Sequence, residues 1–355
     1  MIRALLATFF GIGIAGASAN AAVFCVTNGT ELHNALLTAG SNGADDEIRV
    51  GAGVFTFSSG STAFSYSTNE DFNVSIVGGY NTGCSSIVVF PILTTLNGDG
   101  ARQVLSVKGS SASHGSLYVA HLLIRNGYSD QLGAGLSMGG PAGFAGRASV
   151  QNVVFVNNTS TTAAGGLAIS ADLGRITVNN SLFIANACAW DSCAFDLISN
   201  AASTPLDPTP VEFGNNTVVD NYCIAGAPAS CDVTGGRFFG SAHAAFFNNV
   251  FAFNDEVDLL VQGANVDLDH NNIPLWVGTP SQADGNLALS DPQFVGSGNY
   301  RLRSDSPLRD GGVMGFYPFY TVDLDGQTRV YGPSVDIGAF ENHVAIFGNG
   351  FDTPY

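Results

Sequence analysis

Short apolar stretches flanked by asparagine recur along this chain at regular intervals. Four clear copies start at residues 152, 180, 215 and 248 and read NVVFVNN, NSLFIAN, NNTVVDN and NNVFAFN. A more divergent copy, HLLIRNG, starts at residue 121, so that successive starting positions are 31, 28, 35 and 33 residues apart. A period in this range predicts a solenoid, because one such unit buries its apolar face only against its neighbours.

The composition of each unit indicates strands rather than helices. Apolar and polar positions alternate, and Gly, Asn, Ser and Thr separate the units. Two strands per repeat, joined by Gly-rich corners, are expected to pair in parallel with the next coil at a spacing of about 4.8 Å. The pattern therefore predicts an all-β parallel β-helix. A β-sandwich with turns at similar spacing is the alternative.

Equivalent side chains of stacked coils form columns, and two columns are predicted here. An interior aromatic column comprises Phe155, Phe183 and Phe251. An amide ladder at a corner, which would bond one coil to the next, comprises Asn158, Asn186, Asn221 and Asn254. A second repeating register matches GLSM at 135–138 with GLAI at 166–169 and with DLIS at 196–199.

The N-terminal region reads as a targeting segment followed by a capping helix. Residues 1–21 resemble a signal peptide, with Arg3, an apolar run and a small-residue cleavage site. Residues 28–40 predict a helix with Asn28 as N-cap and Glu31 three residues later, and with Leu32, Leu36 and Leu37 on one face. Such a helix is expected to cover the exposed edge of the first coil.

These features divide the chain into one elongated domain and its termini. We predict a β-helix with its N-terminal cap over 22–290, a closing module over 291–342 and a tail over 343–355. About ten coils would form a rod roughly 45 Å long at the usual strand spacing.

Charge excludes some partners. Lys and Arg total 12 against 29 Asp and Glu, which gives a net charge of −17. A surface this acidic repels a phosphate backbone, so nucleic acid is not an expected partner. No stretch after residue 21 is long and apolar enough to span a membrane, and a monomer is expected.

The six cysteines are even in number and fall into local pairs, as in exported proteins. Cys188 and Cys193 are five residues apart, and Cys223 and Cys231 are eight apart. This leaves Cys25 and Cys84 to tie the cap to an early coil. A metal site is the alternative, but the chain has no Cys-x-x-Cys pair and few histidines.

Segments at both ends resemble a known family. They are VGAGVFTF at 50–57, VGGYNTGC at 77–84, DPQFV at 291–295, NYRLRSDSPLRDGG at 299–312, DLDGQTR at 323–329 and VDIGAFE at 335–341. This set resembles bacterial secreted proteins of the pectin-lyase-like superfamily, of the choice-of-anchor Q type. The resemblance implies a right-handed parallel β-helix with an irregular C-terminal cap, secreted or held at the outer membrane or cell surface of a Gram-negative bacterium. Such proteins often have no known enzymatic activity.

The same superfamily contains polysaccharide lyases and glycoside hydrolases, whose requirements are poorly met. A lyase for uronic acids needs a basic residue to remove a proton and cations to neutralise the carboxylate, yet Lys108 is the sole lysine. A polygalacturonase-like hydrolase needs paired carboxylates on neighbouring strands. The only Asp-Asp pair, at 45–46, precedes the coils, and no Gly-His-Gly or Arg-x-Lys element occurs.

An acidic cluster near the closing end supplies the remaining site candidates. Asp267, Asp269 and His270 are the candidate catalytic residues, and Asp255 and Asp258 the candidate ligands of Ca²⁺ or a sugar. No other cofactor is predicted, and a solvated acidic edge with turn-forming Asp is the preferred explanation of the cluster. We therefore expect an exported, non-catalytic binding protein that presents polar faces to glycans or surface proteins. A polysaccharide lyase or glycoside hydrolase is the alternative.

Overall fold

A computed structural model describes residues 21–56, 63–111, 113–226, 231–263, 265–296, 298–315 and 321–343. The predicted signal peptide, except for residue 21, and residues 344–355 of the predicted tail lie outside them. The chain forms a parallel β-helix, as predicted, in which four parallel sheets run along the stacked coils. Sheets A, B and C continue along most of the stack, and the short sheet D lies between sheets B and C.

The strands of sheets A and B are as follows. Sheet A comprises Ala22–Val26, Asp46–Gly51, Val74–Tyr80, Ser116–Ala120, Arg147–Gln151, Arg175–Asn179, Val211–Gly214, Ala244–Phe247, Val266–Asp269 and Gln282–Asp284. Sheet B comprises Gly53–Thr56, Thr94–Asn97, Leu123–Arg125, Val154–Val156, Leu182–Ile184, Thr217–Val219 and Val250–Ala252.

The remaining strands form sheets C and D and one hairpin. Sheet C comprises Phe64–Ser67, Leu105–Lys108, Leu136–Gly139, Leu167–Ser170, Phe195–Ile198, Val233–Gly240, Val257–Gly263 and Trp276–Val277. Sheet D comprises Tyr128–Ser129, Thr159–Ser160, Ala187–Cys188 and Tyr222–Cys223, and the antiparallel hairpin pairs Phe294–Gly296 with Asn299–Leu302. A full coil thus contains three main strands. The expectation of two strands per repeat was wrong because the strands of sheet B, only three or four residues long, read as one unit with sheet A.

A left-handed residue turns the chain from sheet A to sheet B in successive coils. Asparagine tolerates positive φ better than most residues, which explains why the repeats begin with it. The residues at this corner, with φ from 49° to 56°, are His121, Asn152, Asn180, Asn215, Asn248 and His270.

The interior is an apolar column, and the predicted phenylalanines lie in it. Phe155 and Phe183 are register partners in sheet B, and their rings stack 4.8 Å apart at 11°. Val218 occupies the next coil, and Phe251 follows it in the same column. All four residues are fully buried.

Two amide ladders run inside the coils. The predicted one joins four asparagines by side-chain bonds of 2.9, 3.1 and 3.0 Å, in the order Asn158, Asn186, Asn221 and Asn254. The sequence pattern missed the second ladder, which lies at the corner between sheets A and B. Its side-chain bonds of 3.1, 2.8 and 2.9 Å link Asn216, Asn249, Asn271 and Asn286.

One predicted register is shifted. Leu136 and Leu167 are partners in sheet C, as the match of 135–138 with 166–169 requires. The next partner of Leu167 is Phe195, whereas the match with 196–199 would give Leu197. Because strand side chains repeat every two residues, an error of two keeps the same side chains facing inward and leaves no trace in the hydrophobic pattern.

The N-terminal helix, Gly29–Ala39, packs against the first strands and is capped as predicted. The Asn28 side chain accepts the Glu31 N–H at 3.0 Å, and the Glu31 carboxylate accepts the Thr27 N–H at 2.7 Å. The buried face comprises Leu32, Ala35, Leu36 and Ala39. The placement of Leu37 on that face was wrong, since its side chain is exposed.

The closing module lies along the side of the coils. After the last coil the chain folds back over the outward face of sheet B, where Leu302, Leu308, Leu324, Ile337 and Phe340 pack on Val154, Leu182, Val219 and Val250. The outward corner asparagines bind this module. Asn152, Asn180 and Asn248 donate to Asp323 O, Val322 O and Val313 O, and Asn215 accepts from the buried Arg329.

Candidate functional site

A cleft of about 530 Å³ lies on the outward face of sheet A. Four neighbouring strands in register form its floor. Because strand side chains alternate, every second residue of these strands faces the cleft while the others fill the core. The floor residues are Tyr118, Arg147, Ser149, Gln151, Arg175, Thr177, Asn179 and Glu212.

Two arginines on adjacent strands dominate the charge of this floor. Arg147 and Arg175 are register partners, so about 4.8 Å separates their backbones. Burial and the neighbouring Arg147 lower the pKa of Arg175. Burial raises the pKa of Glu212, although both arginines oppose that rise. The floor thus combines a pair of close cations with a carboxyl group that holds its proton more tightly than usual.

The loop before the strand Val211–Gly214 forms one wall of the cleft. Thr204 and Asp207 close a tight turn, with backbone hydrogen bonds of 2.8 and 3.0 Å in the two directions. The turn directs Asp207 at Arg175, with which it forms an ion pair. Leu206, at the rim, is 99% exposed. The wall is therefore anchored to the floor by a charged contact while its tip remains in solvent.

An aromatic and an amide side chain complete the floor. The Tyr118 hydroxyl donates to Gln151 Oε1 at 2.9 Å, and burial raises the pKa of Tyr118 to about 12. The phenol therefore stays protonated at neutral pH and remains a hydrogen-bond donor. Hydroxyl, amide, guanidinium and aromatic groups together are the side chains that bind sugars and carboxylates.

The predicted catalytic residues lie farther along the same sheet. Asp267 and Asp269 both face outward from the strand Val266–Asp269. Asp267 contacts His243 Nε2 at 2.7 Å, and the other ring nitrogen of His243 contacts Pro208 O in the cleft wall at 2.9 Å. His270 is a corner residue with positive φ, and its Nδ1 lies 2.5 Å from Asp269 Oδ1.

The predicted ligand residues Asp255 and Asp258 lie on a different side of the coil. Asp258 belongs to sheet C, accepts hydrogen bonds from Asn254 and from the Leu275 N–H, and so ends the asparagine ladder. Burial raises its pKa to about 6. Asp255 is an exposed turn residue. The acidic cluster seen in the sequence is therefore divided between two faces, and the structure does not bring Asp255 and Asp258 to the face that carries Asp267, Asp269 and His270.

A basic and an aromatic residue that could have complemented that cluster, Arg237 and Trp276, are also placed elsewhere. Arg237 on sheet C pairs with the buried Asp196, with contacts of 3.0 and 2.5 Å. Trp276 lies on the last strand of sheet C beside Leu259. Neither residue reaches the outward face of sheet A that carries Asp267.

The cysteines form the three predicted pairs, Cys25–Cys84, Cys188–Cys193 and Cys223–Cys231. Within the described residues, one group of potential metal ligands is close enough to share an ion. It comprises Cys188, Cys193 and Cys231, and all three belong to disulfides.

No family model matches the chain, and neither the curated proteins nor the solved structures gave a match. No helix among the described residues has the length and apolar character needed to cross a membrane. The cleft must therefore be interpreted from its own chemistry.

Proposed function

We propose that this chain is an exported, non-catalytic β-helix protein whose sheet A cleft binds an acidic polysaccharide. The observation that carries the proposal is the stacked pair of Arg147 and Arg175 on the cleft floor. Guanidinium groups bind carboxylates through two parallel hydrogen bonds, which gives them both affinity and orientation. Tyr118 and Gln151 offer neighbouring partners for ring hydroxyls.

The charge of the whole chain makes this pair selective. With a net charge of −17, most of the surface repels an anionic polymer. Arg175 is paired with Asp207, so the cation that a carboxylated sugar meets is Arg147, which is exposed and presents its charge to solvent. The cleft thus offers a uronate-containing chain a cationic contact on an otherwise acidic surface.

Export rests on separate support. Residues 1–21 have the pattern of a signal peptide, and three disulfides are typical of oxidising compartments. The resemblance to choice-of-anchor Q proteins of the pectin-lyase-like superfamily implies the same location and a role at the cell surface.

Calorimetric titration with pectin-derived and alginate oligosaccharides tests the binding site. We expect the wild-type protein to bind at least one of them, and Arg147→Ala to weaken that affinity about tenfold, the loss of one charged hydrogen-bonding group. Arg303→Ala is the matched control, because Arg303 is an exposed arginine of the closing module. Absence of wild-type binding, or equal losses in both variants, would contradict the proposal.

A glycoside hydrolase is the second candidate, favoured by one arrangement on sheet A. Glu212 and Asp267 face outward in the same column, with only the small Ala245 between them. Two strand spacings place their backbones roughly 9.6 Å apart, comparable with the carboxyl separation of inverting hydrolases. The raised pKa of Glu212 suits a general acid. Release of sugar fragments by the wild-type protein, lost in both Glu212→Gln and Asp267→Asn, would replace the binding proposal with this one.

A further inference from the structure

Two disulfides of consecutive coils contact each other where sheet D turns into sheet C. Cys188 and Cys223 are register partners in sheet D. Each then bonds to a cysteine a few residues later in its own coil, at Cys193 and Cys231. The Cys231 Sγ lies 3.9 Å from the Sγ atoms of both Cys188 and Cys193. The four sulfurs therefore form one cluster rather than two isolated staples.

We propose that this cluster is a thiol–disulfide exchange centre that reacts with small exported thiols. Cys223 is the entry point because it is partly exposed, whereas Cys188, Cys193 and Cys231 are buried. A thiolate from solvent attacks the Cys223 Sγ, the Cys223–Cys231 bond breaks, and its electron pair leaves on the Cys231 Sγ. Cys223 then carries the external thiol in a mixed disulfide.

The second step passes the reaction between coils. The Cys231 thiolate attacks the Sγ of Cys188 or Cys193, forms a new disulfide and expels the other sulfur as a thiolate, which takes a proton from water. Two disulfides and one thiol exist before and after the reaction, so no oxidant or reductant is consumed. The distance of 3.9 Å is a van der Waals contact between sulfurs, so the step needs rotation of the cysteine side chains to bring the attacking sulfur into line with the bond that breaks.

The product differs from the starting state in what it cross-links. The original disulfides span 5 and 8 residues within single coils. A bond from Cys231 to Cys193 or Cys188 spans 38 or 43 residues and joins one coil to the next. Exchange therefore replaces two disulfides within single coils by one disulfide between coils. A disulfide that closes a longer loop removes more entropy from the unfolded chain, so the new bond is expected to stabilise the fold more.

Disulfide mapping of two single variants tests the first premise. Cys223→Ser leaves Cys231 as a thiol beside the intact Cys188–Cys193 bond. After incubation at pH 8 and acid quenching, we expect peptides joined through Cys188–Cys231 or Cys193–Cys231, with a matching loss of the Cys188–Cys193 peptide. Cys84→Ser is the control, because the Cys25 thiol that it leaves is not part of the cluster.

Treatment of the wild-type protein with glutathione tests the full reaction. We expect glutathione on Cys223 together with a disulfide from Cys231 to the neighbouring coil. Two results would overturn the proposal: a free thiol that stays on Cys231 in both experiments, or cross-links that include Cys25 or Cys84, which indicate random scrambling on unfolding. The wild-type experiment remains decisive if the Cys223→Ser variant does not fold.

Discussion

Asparagine determines much of the local geometry at the scale of single residues. It occupies the left-handed corners at Asn152 and Asn180, where other side chains are strained. Inside the coils its amide both donates and accepts, which lets one residue type continue a ladder without a break. Asn186, for example, accepts the Asn158 amide at 2.9 Å and donates to Asn221 at 3.1 Å.

Removal of one ladder residue should therefore be costly. Asn186→Ala removes the oxygen that accepts the backbone and side-chain N–H groups of Asn158, and it removes the side-chain donor to the buried Phe155 carbonyl and to Asn221. We expect the free energy of unfolding to fall by about 3 kcal/mol, measured by urea denaturation. Asn34→Ala, on the exposed side of the N-terminal helix, should change it by less than about 0.5 kcal/mol. A similar small change for both variants would show that the ladder contributes little.

Ligand binding should depend on pH through one residue of the cleft. Burial raises the pKa of Glu212, so its proton is lost at a higher pH than from an ordinary glutamate. Ionised Glu212 repels a carboxylated ligand, and affinity should therefore fall as pH rises through that pKa. Titrations between pH 4 and pH 8 should show this fall in the wild-type protein and a flatter profile in Glu212→Gln. Parallel profiles would exclude Glu212 from the binding site.

The sequence revealed some of these residues and concealed others. The ladder was predictable because an asparagine occupies the same place in each repeat, and equivalent residues of successive coils stack in a solenoid. Arg147 and Arg175 carried the same signal, since they are 28 residues apart, as are the repeat starts at 152 and 180. The position of the loop that forms the cleft wall was not predictable, because this loop has no repeat and its sequence does not indicate which face of the sheet it covers. Asp255 and Asp267 seemed close only because sequence distance does not show which face of a coil a residue occupies.

At the scale of elements, the closing module depends on buried charge. Arg329 is fully buried and donates to the Asp336 and Gly338 carbonyls, both at 2.7 Å. Burial raises the pKa of Asp323 and of Glu341 to about 7 each. Arg329 opposes both rises, whereas Asp325 adds to the first and Asp336 to the second. These two carboxyl groups therefore hold protons in the docked module that they would release in the unfolded chain.

This protonation makes docking weaker in alkaline solution. Ordinary carboxyl groups titrate near pH 4, so the folded state binds more protons between about pH 4 and pH 7, and its stability falls as pH rises through that range. Hydrogen exchange of residues 321–343, corrected for its intrinsic pH dependence, should show less protection at pH 7.5 than at pH 5.5. Glu341→Gln should reduce this difference, and Asp305→Asn, at an exposed carboxylate, should not. Protection that rises with pH would contradict the sign.

The N-terminal helix was predictable from the sequence, whereas the position of the closing module was not. The N-terminal helix has a capping pattern of its own, and its bounds follow from Asn28 and Gly40. The closing module has no repeat and few strands, so its position could not be deduced from periodicity. Its apolar residues, among them Leu324 and Ile337, match the outward face of sheet B, and only the folded chain shows that match.

At the scale of the whole molecule, coils and module should respond differently to loss of a coil. Deletion of residues 180–214 joins two equivalent corners, and the remaining coils can pair again, because each coil contacts only its neighbours. The same deletion halves the distance from Asn152 to Asn215, from about 9.6 to about 4.8 Å, so the module no longer fits. We expect strand content to persist by circular dichroism, while the module becomes sensitive to protease.

Deletion of residues 121–151 is the matched control. It removes one coil before Asn152, including Leu123 at the edge of the module contact, and leaves all four corner asparagines that bind the module in place. The module should then remain resistant to protease. Equal sensitivity in the two deletions would mean that the module does not depend on the spacing of these corners.

The docking of the closing module on four successive corners has an evolutionary consequence. Most solenoids lengthen or shorten by duplicating or losing a unit, and the rest of the chain is indifferent to the change. Here Asn152, Asn180, Asn215 and Asn248 are each matched to a fixed point between Val313 and Arg329. The length of the module therefore limits the number of coils between these corners. Any coil inserted there would require a matching insertion in the module.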